Sequence, residues 1–168
     1  MKKTYATIGC FILLVLLISA GFVSGQTSEN DAPETLIKAA RFLEQKPLDK
    51  EARKVRGLAM EWLIVTDKVN VKVCSLLLSG IDTNYKYGSE LIGQYTIGMG
   101  AFKLANPEKA NDEGAAQEAG IESALTSYEA IVTEQPKAKN VFMDDLLAKR
   151  SQGSLAGYVK ENNCKDKN

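Results

Sequence analysis

The chain has 168 residues, carries 21 basic and 21 acidic side chains, and contains no histidine. That balance excludes the basic footprint of a nucleic-acid binder, and the missing imidazole excludes Ser-His and Cys-His nucleophile pairs and any histidine metal ligand. The length suits one domain able to bury roughly two thirds of its unfolded surface, so folding requires neither a metal nor a dense disulfide framework.

Lys2 and Lys3 precede an apolar run over residues 8 to 20, and the short side chains Val23, Ser24 and Gly25 follow it. This order predicts a secretory signal peptide over 1–25, cleaved before Gln26, with Ala20 as a second candidate position. The competing reading is an uncleaved anchor, because residues 8–25 approach the roughly 18 residues that cross a bilayer. Cys10 lies within the apolar run rather than after it, which disfavours a lipoprotein. Residues 26–168 are then the mature chain of an exported bacterial protein, periplasmic or secreted, touching membrane only through the signal segment if that segment is retained. Loss of the leader removes two lysines and no acid, leaving a slight negative charge.

The mature chain keeps Cys74 and Cys164. In an oxidising compartment a single disulfide is the direct reading, and two free or buried thiols are the alternative. A zinc site would ask for about three or four closely spaced cysteine and histidine ligands, so no metal is expected.

Apolar residues recur at helical spacing in nearly every segment, which predicts an all-α fold: a single compact domain of about six to seven helices. The first helix starts near Asp31, with Asp31 and Glu34 as a capping pair around Pro33, carries Leu36, Ile37, Ala40 and Leu43 inward, and stops at Pro47. A second, over about 49–66, places Val55, Leu58, Ala59, Trp62, Leu63 and Val65 on one broad face, with Trp62 as a core residue and Glu61 at its solvent edge. Residues 69–78 read both ways. Val69, Val71 and Val73 alternate as in a strand, while Val69, Val73, Leu76 and Leu77 follow helical spacing; a helix capped by Asp67 and closed by Gly80 is the expectation.

Residues 81–88 form a turn-rich loop with Tyr85 and Tyr87 exposed or folded back. Its Asp82, Asn84 and Gly88 hint at a calcium loop, but Lys86 occupies a ligand position and the closing acid is missing. Ser89 is expected to cap a helix over 89–105, with Leu91, Tyr95, Gly98, Met99 and Phe102 on one face and the small residues Gly93, Thr96 and Gly100 on the other. Glycine within a helix costs about 0.5–1 kcal/mol relative to alanine, so the stripe asks for a reason: a closely packed neighbour, or a ligand cleft. Asn106 and Pro107 predict the next helix start, followed by a weakly packing run over 109–120 whose acids Asp112, Glu113, Glu118 and Glu122 form a solvated face; Ile121, Ala124, Leu125, Tyr128, Ile131 and Val132 then supply a buried one. Two short helices, about 140–151 and 154–162, end the chain before a charged tail.

Ala124, Tyr128, Ile131 and Pro136 have the spacing that closes a tetratricopeptide repeat, with Phe142 at the first bulky position of a following unit and Gly153 at its inter-helix turn. Residues 124–158 thus resemble the end of one such repeat and most of another, which implies a C-terminal helical hairpin. The sequence departs from the pattern at Asp145, Leu146 and Tyr158, and nothing upstream repeats it at the interval of about 34 residues.

No phosphate-cradling loop, Ser-x-x-Lys or Gly-x-Ser-x-Gly is present, and the adjacent Asp144 and Asp145 point about 100 degrees apart on a helix, so they cannot share a site unaided. Two functional classes follow, neither calling for a cofactor. The preferred one is a non-catalytic module that binds a protein partner. The other is a small helical ligand carrier or enzyme using a cleft along Gly93, Thr96 and Gly100, with Tyr85 and Tyr87 as further candidate binding residues.

Overall fold

The computed structural model describes residues 32–162 and 164, and among these it contains six α-helices, three 3₁₀ turns and no strand. The signal peptide, the Gln26 cleavage position and the Asp31 cap lie outside the described residues. Helix α1 (Ala32–Gln45) buries Leu36, Ala40 and Leu43, one stripe at helical spacing. Pro47 lies just beyond its end, and the Asp49 side chain accepts from the Glu51 N–H at 2.8 Å to turn the chain into α2 (Ala52–Val65). Helix α3 (Gly88–Ala105) is apolar nearly all round and buried on opposite sides. Leu91, Tyr95 and Met99 join a large cluster with α4 (Glu113–Glu134), α5 (Val141–Ser151) and α6 (Leu155–Asn162), whereas Ile97 and Ala101 join a smaller one with α1 and α2. Because both clusters share α3, the chain forms one compact all-α domain. None of its described helices is long and apolar enough to cross a membrane.

Helices α3 and α4 run antiparallel at close range. A Cβ at Gly120 would stand 2.7 Å from the Tyr95 carbonyl oxygen, a contact that no side-chain shift can relieve. Polar groups register α1 against this pair: Gln94 Nε2 donates to the Ala40 carbonyl and to Ser123 Oγ, and Ser123 Oγ donates to Glu44 Oε1 at 2.6 Å. The α5–α6 hairpin turns at Gly153, whose φ of +67° lies in the left-handed region; Ser154 and Gly153 donate N–H groups back to the Lys149 and Arg150 carbonyls. Leu155 and Val159 then pack into the large cluster, and the Tyr158 hydroxyl donates to the Leu77 carbonyl.

Several expectations are corrected. Residues 67–74 are not helical; only Ser75–Leu78 form a 3₁₀ turn. Alternating β-branched valines already disfavour a helix there, and the Asn70 carbonyl, which a helix would use internally, instead accepts from Lys103. Trp62 is half-buried, and Leu58 and Val65 of the supposed core face are exposed at 57% and 74%. Among the described residues helix α2 packs mainly on α1 and α3, and a narrow strip around Ala52 and Ala59 buries it. Ser89 caps nothing: the helix begins at Gly88 and the Ser89 hydroxyl donates to Glu90. Pro107 opens a 3₁₀ turn rather than the long helix, which begins at Glu113 with Asp112 accepting from the Ala115 N–H. Gly80 closes no helix but makes room for the Phe142 ring.

Candidate functional site

The helix predicted to carry a cleft is covered along most of its small-residue stripe. A Cβ at Gly100 would meet Leu63 Cδ2 at 2.7 Å and Leu36 Cδ2 at 3.2 Å, so the start of α1 and the end of α2 close over it. The Arg56 side chain lies across Gly93, where a Cβ would stand 3.0 Å from Cδ. Burial pulls the Arg56 guanidinium below its ordinary pKa, partly opposed by Glu90, and one of its nitrogens donates to the Pro47 carbonyl. Thr96, whose hydroxyl donates to the Ile92 carbonyl, is buried yet reaches a hollow. The stripe therefore explains itself as close packing at Gly93 and Gly100, with an opening at Thr96.

That opening is a cleft of about 500 Å³ between the end of α2 and residues 66–73, which cross from α2 to the 3₁₀ turn as a strap. Met60, Leu63 and Ile64 form one wall, Val69, Val71 and Val73 the other, and Thr66, Asp67, Asn70 and Thr96 supply polar groups. Ile64 is 78% exposed and Val65 beside it 74%, and Val73 and Leu76 are exposed as well. Large apolar side chains left in water around a concave feature mark an interaction surface more often than isolated ones do.

The strap is held at two points along its length. Lys103 Nζ, on a side chain 3% exposed, donates to the Asn70 carbonyl at 2.9 Å and to Glu113 Oε1 at 2.6 Å. Cys74, buried at the end of the strap, and Cys164 stand at disulfide distance, with Cα atoms 5.4 Å apart. Beneath the strap, Tyr95 is buried, which pushes its phenol up to about 12 against the opposing effect of the Cys74 backbone. Neither Lys103 nor Glu113 stood out in the sequence as a partner of the other. Glu113 is corrected from the solvated face to this ion pair; a lone lysine on an otherwise apolar helix was the available signal.

Tyr85 and Tyr87 fold back rather than reaching into solvent, and their contacts are with the α4–α5 connection and each other, not with the stripe. The Tyr85 hydroxyl donates to the Ala138 carbonyl at 2.7 Å, Tyr87 is buried, their rings meet edge to face at 6.0 Å, and Lys86 Nζ lies 4.9 Å from the Tyr87 centroid. They share a second hollow of about 270 Å³ with Lys137 and Lys139. Burial pushes the Tyr85 phenol up to about 12. Nearby, the Tyr128 hydroxyl donates to Asp144 Oδ1 at 2.7 Å and accepts from the Asn140 N–H, and burial together with Asp144 raises its pKa. The Tyr85 bond fastens the loop to the α4–α5 connection. Asp144 and Asp145 do not act together: one accepts from Tyr128, the other pairs with Lys149. Compared with family models, with curated proteins and with solved structures, the chain matches none.

Proposed function

We propose that the chain is an exported, non-catalytic module that binds a protein partner through the cleft between α2 and the strap. The observation that carries this reading is the exposure of Ile64 and Val73 in the lining of a concave, partly polar cleft. Export is supported by the charged and apolar leader pattern of residues 1–25 and by two cysteines at disulfide distance, an arrangement that persists in oxidising compartments. A carrier or enzyme using Gly93 and Gly100 has less support, since Arg56, Leu63 and Leu36 fill the space over those residues.

The test is site-specific photocrosslinking in the exporting cell. A photoreactive residue at position 64 or 73 should give one discrete protein adduct, and the same residue at position 160 on α6 should give none. Equal adducts at all three positions, or none at 64 and 73, would overturn the reading. A small molecule retained in the native mass of the purified protein would favour the carrier instead.

A further inference from the structure

We infer that the strap is an open strand edge, and that the partner segment it takes is an extended peptide added to it as a β-strand. The inference rests on the cleft being the binding site and specifies how that site is used. The strap runs without turn or bend from residue 69 to 74 and carries Val69, Val71 and Val73 in strand-like alternation with Asn70 and Lys72. Among the described residues, the backbone N–H groups of Val69, Asn70, Val71, Lys72 and Val73 find no protein acceptor. A lone extended segment with unpaired amides is a template for another strand. Ordinarily such an edge is mobile, but this one is fixed by the end of α2, by Lys103 on the Asn70 carbonyl and by the cysteine pair at Cys74. Ordering the receptor in advance removes much of the entropy that binding would otherwise lose.

The cleft also selects the chemistry of the incoming strand. A second strand lies about 4.7–4.9 Å from its neighbour and presents alternate side chains to one face, which directs one set onto Met60, Leu63 and Ile64 across the cleft. Lys72 is exposed and has no ion-pair partner among the described residues. The fitting segment is therefore an extended peptide that alternates β-branched apolar residues with polar ones and brings a carboxylate opposite Lys72.

The probe is acetyl-Val-Glu-Val-Thr-Val-amide titrated into the isotopically labelled, oxidised mature protein, followed by amide NMR and hydrogen exchange. Binding should shift the amides of 69–73 and slow exchange at alternate positions by about tenfold, and N-methylation of the peptide at alternate amides should weaken binding by about tenfold. Lys72→Glu should weaken binding by about three- to fivefold, with recovery when lysine replaces the peptide's glutamate. Equal binding of the N-methylated peptide, or shifts confined to Met60 and Ile64, would overturn strand addition while leaving the cleft as the site. No binding of the probe at millimolar concentration would also overturn it, and crosslinking at position 64 then decides separately whether the cleft binds a protein at all.

Discussion

Lys103 Nζ lies 2.6 Å from Glu113 Oε1, joining the last turn of α3 to the first turn of α4 beneath the strap. Removing one member of a buried pair strands the other charge and costs more than the pair contributes. Lys103→Met is expected to lower stability by about 2–4 kcal/mol and Glu113→Gln by less, because Glu113 is one third exposed. The double substitution should be less destabilising than the sum of the singles. Urea unfolding of all four proteins measures the coupling; strict additivity would show the two side chains acting independently.

Glycine substitutions should differ in sign according to what stands beside each Cα. At Gly120 an added methyl meets the Tyr95 carbonyl, and Gly120→Ala should destabilise by about 1–3 kcal/mol. Gly100→Leu should do at least as much, by overpacking against Leu63 and Leu36. Gly57, within α2, has nothing within 4 Å, and Gly57→Ala should stabilise by about 0.5–1 kcal/mol through helix propensity alone. Urea midpoints of the three variants provide the comparison.

Burial sets the alkaline limit of the fold. Tyr95 and Tyr85 are each raised from 10.0 to about 12, so the folded chain holds protons that the unfolded chain releases near its ordinary value. Their contribution is complete below pH about 10 and is lost as the pH rises through about 12. Melting temperature should therefore fall across that window, and Tyr95→Phe should flatten the decline in part by deleting one of the raised phenols, Tyr128 and Tyr158 among the others. A profile unchanged by the substitution would assign the alkaline loss to other groups.

A bond between Cys74 and Cys164 closes a loop across a sequence separation of 90. The chain-entropy model assigns such a loop roughly 4–5 kcal/mol, with measured values usually lower. Reduction should lower the melting temperature and speed amide exchange in the strap, whose end the bond tethers, while α3 and α4 keep their protection. Thiol titration of the unfolded, unreduced mature protein, which lacks Cys10, should find no free thiol; two per chain would remove the bond.

The Ile64→Asp substitution separates binding from folding. Ile64 is 78% exposed, so the variant should unfold within about 0.5 kcal/mol of the parent, yet lose the adduct that a photoreactive residue at position 73 captures. Retention of that adduct would move the binding surface away from the cleft.

Hydrophobic periodicity determined most of the helices, because that signal acts within a few residues of chain, whereas several of the caps read from single residues did not hold. The long apolar helix at 88–105 and the hairpin turning at Gly153 were both legible, since each is specified by its own side chains and backbone. The tertiary structure alone decided what those helices meet. Residues 67–74 were written with both periods at once, and the choice fell to the buried Lys103, which takes the Asn70 carbonyl. The face of α2 that reads as core is wider than the strip its neighbours cover, and this leaves Leu58 and Val65 in water. Glu113 was indistinguishable from the other acids of its run until the antiparallel approach of α3 and α4 brought Lys103 within 2.6 Å. A pattern of hydrophobicity records which side of a helix prefers burial, whereas the cleft, the strap and the ion pair depend on contacts between residues distant in sequence, which no local pattern encodes.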